Sequence, residues 1–223
     1  MQYNSAEEYL RKVLSFTVNE KTASEEAEKI TKVFPSGASL ASADANVLVN
    51  LSDCNEKTAD LIRLLSALGS RRITDEFKPG RKYTREELER YICALLFHLP
   101  VESVYVISFD KNGKLISADL ITEGTVNSSA FLPRKMADIV LRKRAASVIL
   151  AHNHPSGNIM PSENDVAVTL LAQSVLNDAH VKLDAHYVVV GFDILDCMGH
   201  INSPLKSGNE IVRVNPLARG IES

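Results

Sequence analysis

The run AASVILAH, residues 145–152, constrains this chain most, because nearly every side chain in it is apolar. A strand sends alternate side chains to opposite faces, so such a run is stable only when both faces are covered. A helical pattern, LPRKMADIVLRKR, precedes it with Pro133 in the first turn, and another, ENDVAVTLLAQSVLNDA, follows it. SVYVISFD and KLISADLI, separated by Lys111-Asn112-Gly113, read as a hairpin, and HYVVVGF reads as a further strand. Thr84 with Glu87 forms a capping box that opens the helix REELERYICALLFHL, and Pro100 ends it. Helices alternating with strands, plus one hairpin, predict an α/β fold over residues 84–202: a mixed sheet between helical layers.

Residues 1–74 follow a different pattern, of short helices only: SAEEYLRKVLSF, SEEAEKITKVF, SADANVLVNL and KTADLIRLLSALGSRR. Ser24 and Ser42 are the expected N-caps, each with acidic residues in the following turn. Pro35 and Gly37 break the pattern between the second and third helices. The segment DEFKPGRKY, residues 75–83, is charged, carries a Pro-Gly pair and reads as a linker. The tail, residues 203–223, is polar, with Pro204 and Pro216, and suggests no particular structure.

Charge and cysteine content exclude several classes of function. Residues 1–80 carry 10 Lys and Arg against 12 Asp and Glu, and residues 81–223 carry 15 against 16. Neither part has the basic excess that neutralises many phosphates, which leaves DNA a weak or local contact through Arg71 and Arg72. Cys54, Cys93 and Cys197 are too scattered for a disulfide framework or a thiolate zinc knuckle, and Cys93 sits in an apolar run as a core residue would. No apolar run approaches the roughly 20 residues of a membrane span, and the N-terminus lacks a secretory pattern, so a cytoplasmic protein is expected. The sequence holds no HExxH helix, no P-loop, no GxGxxG and no PCxxC of a deaminase.

Chemistry concentrates in AHNHPSGNIMPSENDVAVT, residues 151–169. His152 and His154 lie two apart at a strand end, so both imidazoles can face one point. A loop follows, and then Ser162 and Asp165 share a face at the start of a helix. Two imidazoles and a carboxylate suit zinc, and three protein ligands leave a fourth position for water, as in a catalytic site. Glu102, between Pro100 and the strand SVYVISFD, is the candidate base. Blander roles exist for the same residues. Ser162-x-x-Asp165 also spells a capping box, and Glu102 could be an exposed helix-exit residue. His186 reads first as a sheet-edge residue and second as a partner orienting a metal ligand. His98, His180 and His200 lack ligand spacing, and the charges of RKMADIVLRKR read as a solvated face, with Arg134 a possible substrate contact.

His152-x-His154-Pro155 followed by Ser162-x-x-Asp165 resembles the signature of the JAMM (MPN-plus) metalloproteases. The fuller string HNHPSG…PS..D…T, with EGTVNSSAFLPR upstream, resembles the bacterial RadC branch of that group, over about residues 84–195. The resemblance implies a cytidine-deaminase-like α/β/α domain and Zn2+ on His152, His154 and Asp165. It also implies Glu102 as general base and Ser162 as support for the tetrahedral intermediate. It extends weakly to the N-terminal helices, where RadC proteins carry a helix-hairpin-helix-like module. Three positions depart from the pattern: Lys135 stands where Pro-Arg is commonly followed by Glu, Asp184 and His186 are separated by Ala185, and LSDCNEKTA replaces a glycine-rich hairpin. Without those glycines the backbone cannot approach a phosphate as closely, so the module is a degenerate one.

Two functions are compatible with this reading. The first is a metallopeptidase or isopeptidase cleaving an amide in a peptide or protein substrate. The second is a nucleic-acid- or protein-binding adaptor with a structural zinc site, in keeping with the DNA-repair label that RadC proteins carry; no feature of the sequence points to a repair reaction.

Overall fold

The computed structural model describes residues 5–124, 131–202 and 211–216. Five helices come first: α1 (Ala6–Leu14), α2 (Glu20–Val33), α3 (Gly37–Ser42), α4 (Ala45–Ser52) and α5 (Glu56–Thr74). They close on their own core, with Leu14, Ile30, Leu48 and Ile62 among its buried members. Their N-caps are Ser5, Asn19, Ser36, Asp44 and Asn55, not Ser24 or Ser42. Ser24 lies inside α2, because the Asn19 side chain already accepts from the Thr22 amide at 3.0 Å. Ser42 ends α3, and Asp44 caps α4 by accepting from Asn46 at 2.8 Å. Each winning side chain satisfies an amide that has no partner within its helix.

After α5 the segment expected as a linker is packed. Phe77 is buried, with its ring centroid 4.8 Å from that of Tyr83 and 4.6 Å from that of Tyr91. Gly80 donates to the Leu115 carbonyl and Leu115 to that of Arg81, both at 2.8 Å. Helix α6 (Arg85–Leu96) begins at the expected Thr84 box, in which both reciprocal hydrogen bonds are present.

Strands β1 (Ser103–Phe109) and β2 (Leu115–Glu123) form the hairpin, and Asp110 Oδ1 accepts the amides of Asn112 and Lys114 in its turn. Helix α7 (Phe131–Lys143), β3 (Ser147–Asn153), α8 (Glu163–Asp178) and β4 (Lys182–Val190) follow. Beyond them lie three short elements, β5 (Asp193–Asp196), α9 (Cys197–Asn202) and β6 (Val212–Arg213). The sheet order is β2-β1-β3-β4-β5-β6; β3 and β4 are parallel and the other neighbours antiparallel. This is the expected α/β/α arrangement of a mixed sheet, preceded by a helical region. Ile107, Ile149, Ala151 and Val189 pack toward α6, whereas Val106, Val148 and Leu150 pack toward α7 and α8. The apolar run that requires two covered faces therefore has them. No helix among the described residues is long and apolar enough to cross a membrane.

Candidate metal centre

The site forms where β3 ends against the start of α8. His152 is the penultimate residue of β3, paired in register with Val104 of β1 and Val188 of β4, and it is 1% exposed. His154 has just left the strand, yet its amide still donates to the Val189 carbonyl at 3.0 Å. Gly157, at φ +84°, lets the chain turn back at once, donating to the His154 carbonyl at 3.0 Å. The turn brings the Asn158 carbonyl 2.6 Å from His154 Nδ1.

Asp165 arrives from α8 as one half of a capping box. Its amide donates to Ser162 Oγ at 3.2 Å, and its Oδ2 accepts from the Ser162 amide at 2.6 Å and from the Ser162 hydroxyl at 2.7 Å. The capping reading of this pair is present, and the box itself aims the carboxylate at the histidines. Asp165 is 5% exposed, with Oδ1 3.2 Å from His152 Nε2 and Oδ2 3.4 Å from His154 Nε2. The two Nε2 atoms are 3.0 Å apart.

These separations match the requirements of a small cation. Tetrahedral zinc with bonds of about 2.0–2.1 Å holds its ligand atoms about 3.3–3.4 Å apart. With the His154 Nδ1 proton donated to Asn158, its Nε2 lone pair turns inward, toward the same point as Asp165. Acceptors crowded on one point need a cation among them. Absent a metal, a proton does part of this: the hydrogen bond to Asp165 is the chief cause that raises the His154 pKa, with the Glu102 charge a lesser one. Burial pushes Asp165 up, but hydrogen bonds from His152 and His154 outweigh it and hold the carboxyl well below its usual range. The group His152, His154 and Asp165 can therefore hold a metal ion.

Glu102 is exposed, just before β1, and its carbonyl accepts the Gly124 amide at 2.8 Å. Neighbouring Val104 pairs with His152, so Glu102 stands beside the end of the His strand. One residue that the spacing argument did not find joins the two strands at the site. Asn153, 4% exposed on the opposite face of β3, accepts the Ser103 amide at 2.9 Å and donates to the carbonyls of Leu99 and Val101 at 3.0 and 3.1 Å. It fastens the turn carrying Glu102 to the strand carrying His152. Its signal in the sequence was its place between the two histidines.

His186 corrects an expectation. It is not a sheet-edge residue: β5 and β6 extend the sheet past β4, and His186 is 1% exposed. Its Nε2 lies 3.0 Å from His152 Nδ1 and its Nδ1 lies 2.6 Å from Thr169 Oγ1. Burial, then the charge of His152, pushes its pKa down to about 3, so the imidazole is neutral. His98 and His180 do not join the metal-ligating group, and the His200 side chain lies outside the described residues. Arg134 is exposed on α7, and Lys135 donates to the Ile121 carbonyl, bracing α7 on β2. Most of the EGTVNSS stretch, residues 125–130, also lies outside the described residues.

A triad of two histidines from a strand end and an aspartate from the next helix, on a mixed sheet covered on both faces, defines a JAB-type domain. The family described as RadC-like JAB domain matches residues 83–195, just over half of the chain, and the protein belongs to it. A UPF0758 protein of Cupriavidus pinatubonensis is 30% identical over 172 residues, covering 77% of this chain and 75% of the relative. A UPF0758 protein of Bordetella avium is 35% identical over 122 residues, 54% of each chain. One of Marinomonas sp. is 36% identical over 104 residues, 47% of this chain and 46% of the relative. These names carry no activity.

Proposed function

We propose that this protein is a zinc-dependent hydrolase of amide bonds in peptides or proteins, including isopeptides, with His152, His154 and Asp165 as metal ligands. The observation that carries the reading is the convergence of three ligand atoms within 4.8 Å of one another, with Glu102 at the start of the adjoining strand. A structural zinc site needs no neighbouring base, and an exposed carboxylate there is free to meet substrate. Zinc, when bound, polarises a carbonyl and lowers the pKa of a coordinated water to about 7.

The chain's own residues do the rest. Glu102 accepts the proton of the attacking water and passes it to the leaving nitrogen as the C–N bond breaks, a role contributing typically about 10²–10⁴-fold. Ser162, whose Oγ donates to Asp165 Oδ2 at 2.7 Å, supports the oxyanion by turning that hydroxyl proton to the substrate oxygen. His186 and the Asn158 carbonyl hold the two imidazoles in place from behind. Free, buried Cys54, Cys93 and Cys197 fit a reducing compartment, and we place the protein in the cytoplasm.

The test is a proteome-derived peptide library, with isopeptide-linked members, incubated with the zinc-loaded protein and with Glu102→Gln. The native protein should release new amines, and the variant should lose about 100-fold or more of the rate while retaining its metal. Equal release by both proteins would remove Glu102 from the reaction. No release by either would remove the hydrolase reading.

A further inference from the structure

The direction of the hydrogen bonds behind His152 is set by an atom that can only accept. Thr169 lies one helical turn after Asp165 on α8, and its Oγ1 is 2.6 Å from the Asp165 backbone carbonyl oxygen. A carbonyl has no proton to give, so the hydroxyl proton of Thr169 belongs to this contact. The same Oγ1 is 2.6 Å from His186 Nδ1, and having spent its one proton it must accept there. His186 is therefore protonated on Nδ1 and bare on Nε2. His186 Nε2 is 3.0 Å from His152 Nδ1, so His152 must carry its proton on Nδ1. Nδ1 of His152 is thereby taken up by this bond, and Nε2 is the ring nitrogen left to face His154 and Asp165. Thr169, His186 and His152 are 0%, 1% and 1% exposed, so water cannot reverse any of these assignments.

We propose that Thr169 is a positioning residue which, through His186, fixes His152 in the tautomer that presents Nε2 to a metal. The chain of bonds starts on the backbone of Asp165 and ends on His152, so two of the three ligands are tied together behind the site. Opposite protonation at any link would set a proton against a proton, or a lone pair against a lone pair, in a buried space. The inference rests on the proposed metal site for its purpose, but the tautomers belong to the protein alone.

The test separates the two. Nitrogen-15 spectra of histidine-labelled, chelator-treated native protein should show His186 and His152 each with the proton on Nδ1. Zinc affinity, measured by competition with a chromophoric chelator, should weaken about 10–100-fold in Thr169→Val and return in Thr169→Ser, which restores the hydroxyl. His186 protonated on Nε2 in the native protein overturns the proposal, whether or not Thr169→Val folds. So does undiminished zinc affinity in a folded Thr169→Val. A native protein with the expected tautomers but no zinc affinity would leave the relay standing and remove the metallohydrolase reading instead.

Discussion

Asn153 shows how one side chain can hold two parts of a site in register. Its amide is buried and uses three hydrogen bonds, one accepted from Ser103 and two donated to Leu99 and Val101. All three partners are backbone groups of the turn on either side of Glu102, and the Val101 carbonyl also accepts the Ser103 hydroxyl at 3.0 Å. Asn153→Ala leaves the amide of fully buried Ser103 unpaired and takes a donor from the Leu99 and Val101 carbonyls, and a buried unpaired group costs about 1–3 kcal/mol. Urea unfolding of the metal-free variant should therefore show a loss of at least about 1 kcal/mol. A loss below about 0.5 kcal/mol, the range of neutral surface changes, would mean that the turn is held by something else. At this scale the convergence of His152, His154 and Asp165 was legible, because a two-residue spacing on a strand and a three-residue spacing at a helix start each restrict direction. The roles of Asn153 and Thr169 were not legible, and that of His186 was legible only as the second of two readings. Their roles depend on contacts spanning 17 to 54 positions, and no local rule reports those.

Among the elements, the N-terminus of α5 bears on the nucleic-acid reading. A helix N-terminus offers free amides and a positive dipole end to a phosphate. Here the protein fills that place with its own carboxylate: Glu26 of α2, 8% exposed, accepts from the Asn55 side chain and from the Thr58 hydroxyl. The turn before it carries Asp53 at φ +50°, a left-handed conformation where glycine is usual, with its carboxylate 2.9 Å from Lys29. Two acids thus occupy the hairpin, and Arg71 farther along α5 is paired with Asp75 at 2.8 Å. The protein should pass through a column of duplex DNA without retention at about 50 mM salt, where phosphate contacts are strong. Salt-dependent retention would contradict this. Helices with capping boxes, at Thr84 and Ser162, were readable because box and helix lie within a few residues. β5, β6 and α9 were not, since elements of 4, 2 and 6 residues owe their existence to pairing with β4 or β5 or to packing on β4. The same blindness made His186 look like an edge residue.

In the whole molecule, two cores meet along α5. Its first half packs Ala59 and Ile62 among the N-terminal helices, and Ile73 and Phe77 enter the core on the α6 side of the sheet. Ser70 donates to the Ala94 carbonyl at 2.7 Å and Arg63 to that of His98 at 3.4 Å, so the helical region is joined to α6 by a buried polar contact and to its end by a half-buried one. Residues beyond Asn202 take part too: Val214 is buried, and Arg90 donates to the Pro216 carbonyl at 3.2 Å. A cleft of about 870 Å³ opens between these bodies, with Phe34 and Val47 on one wall, Phe97 and Phe192 on another, and the loop of His154 at its mouth. The sheet and its two covers followed from one apolar run, but this joining of cores did not, because it depends on side chains far apart in the chain. All of it bears on function only if a metal sits where His152, His154 and Asp165 converge. Elemental analysis of the native protein and of a His152→Ala/His154→Ala variant tests that directly. One zinc per chain in the first and none in the second is the predicted result. A native protein that takes up no zinc, even when zinc is supplied, would contradict the account at its centre.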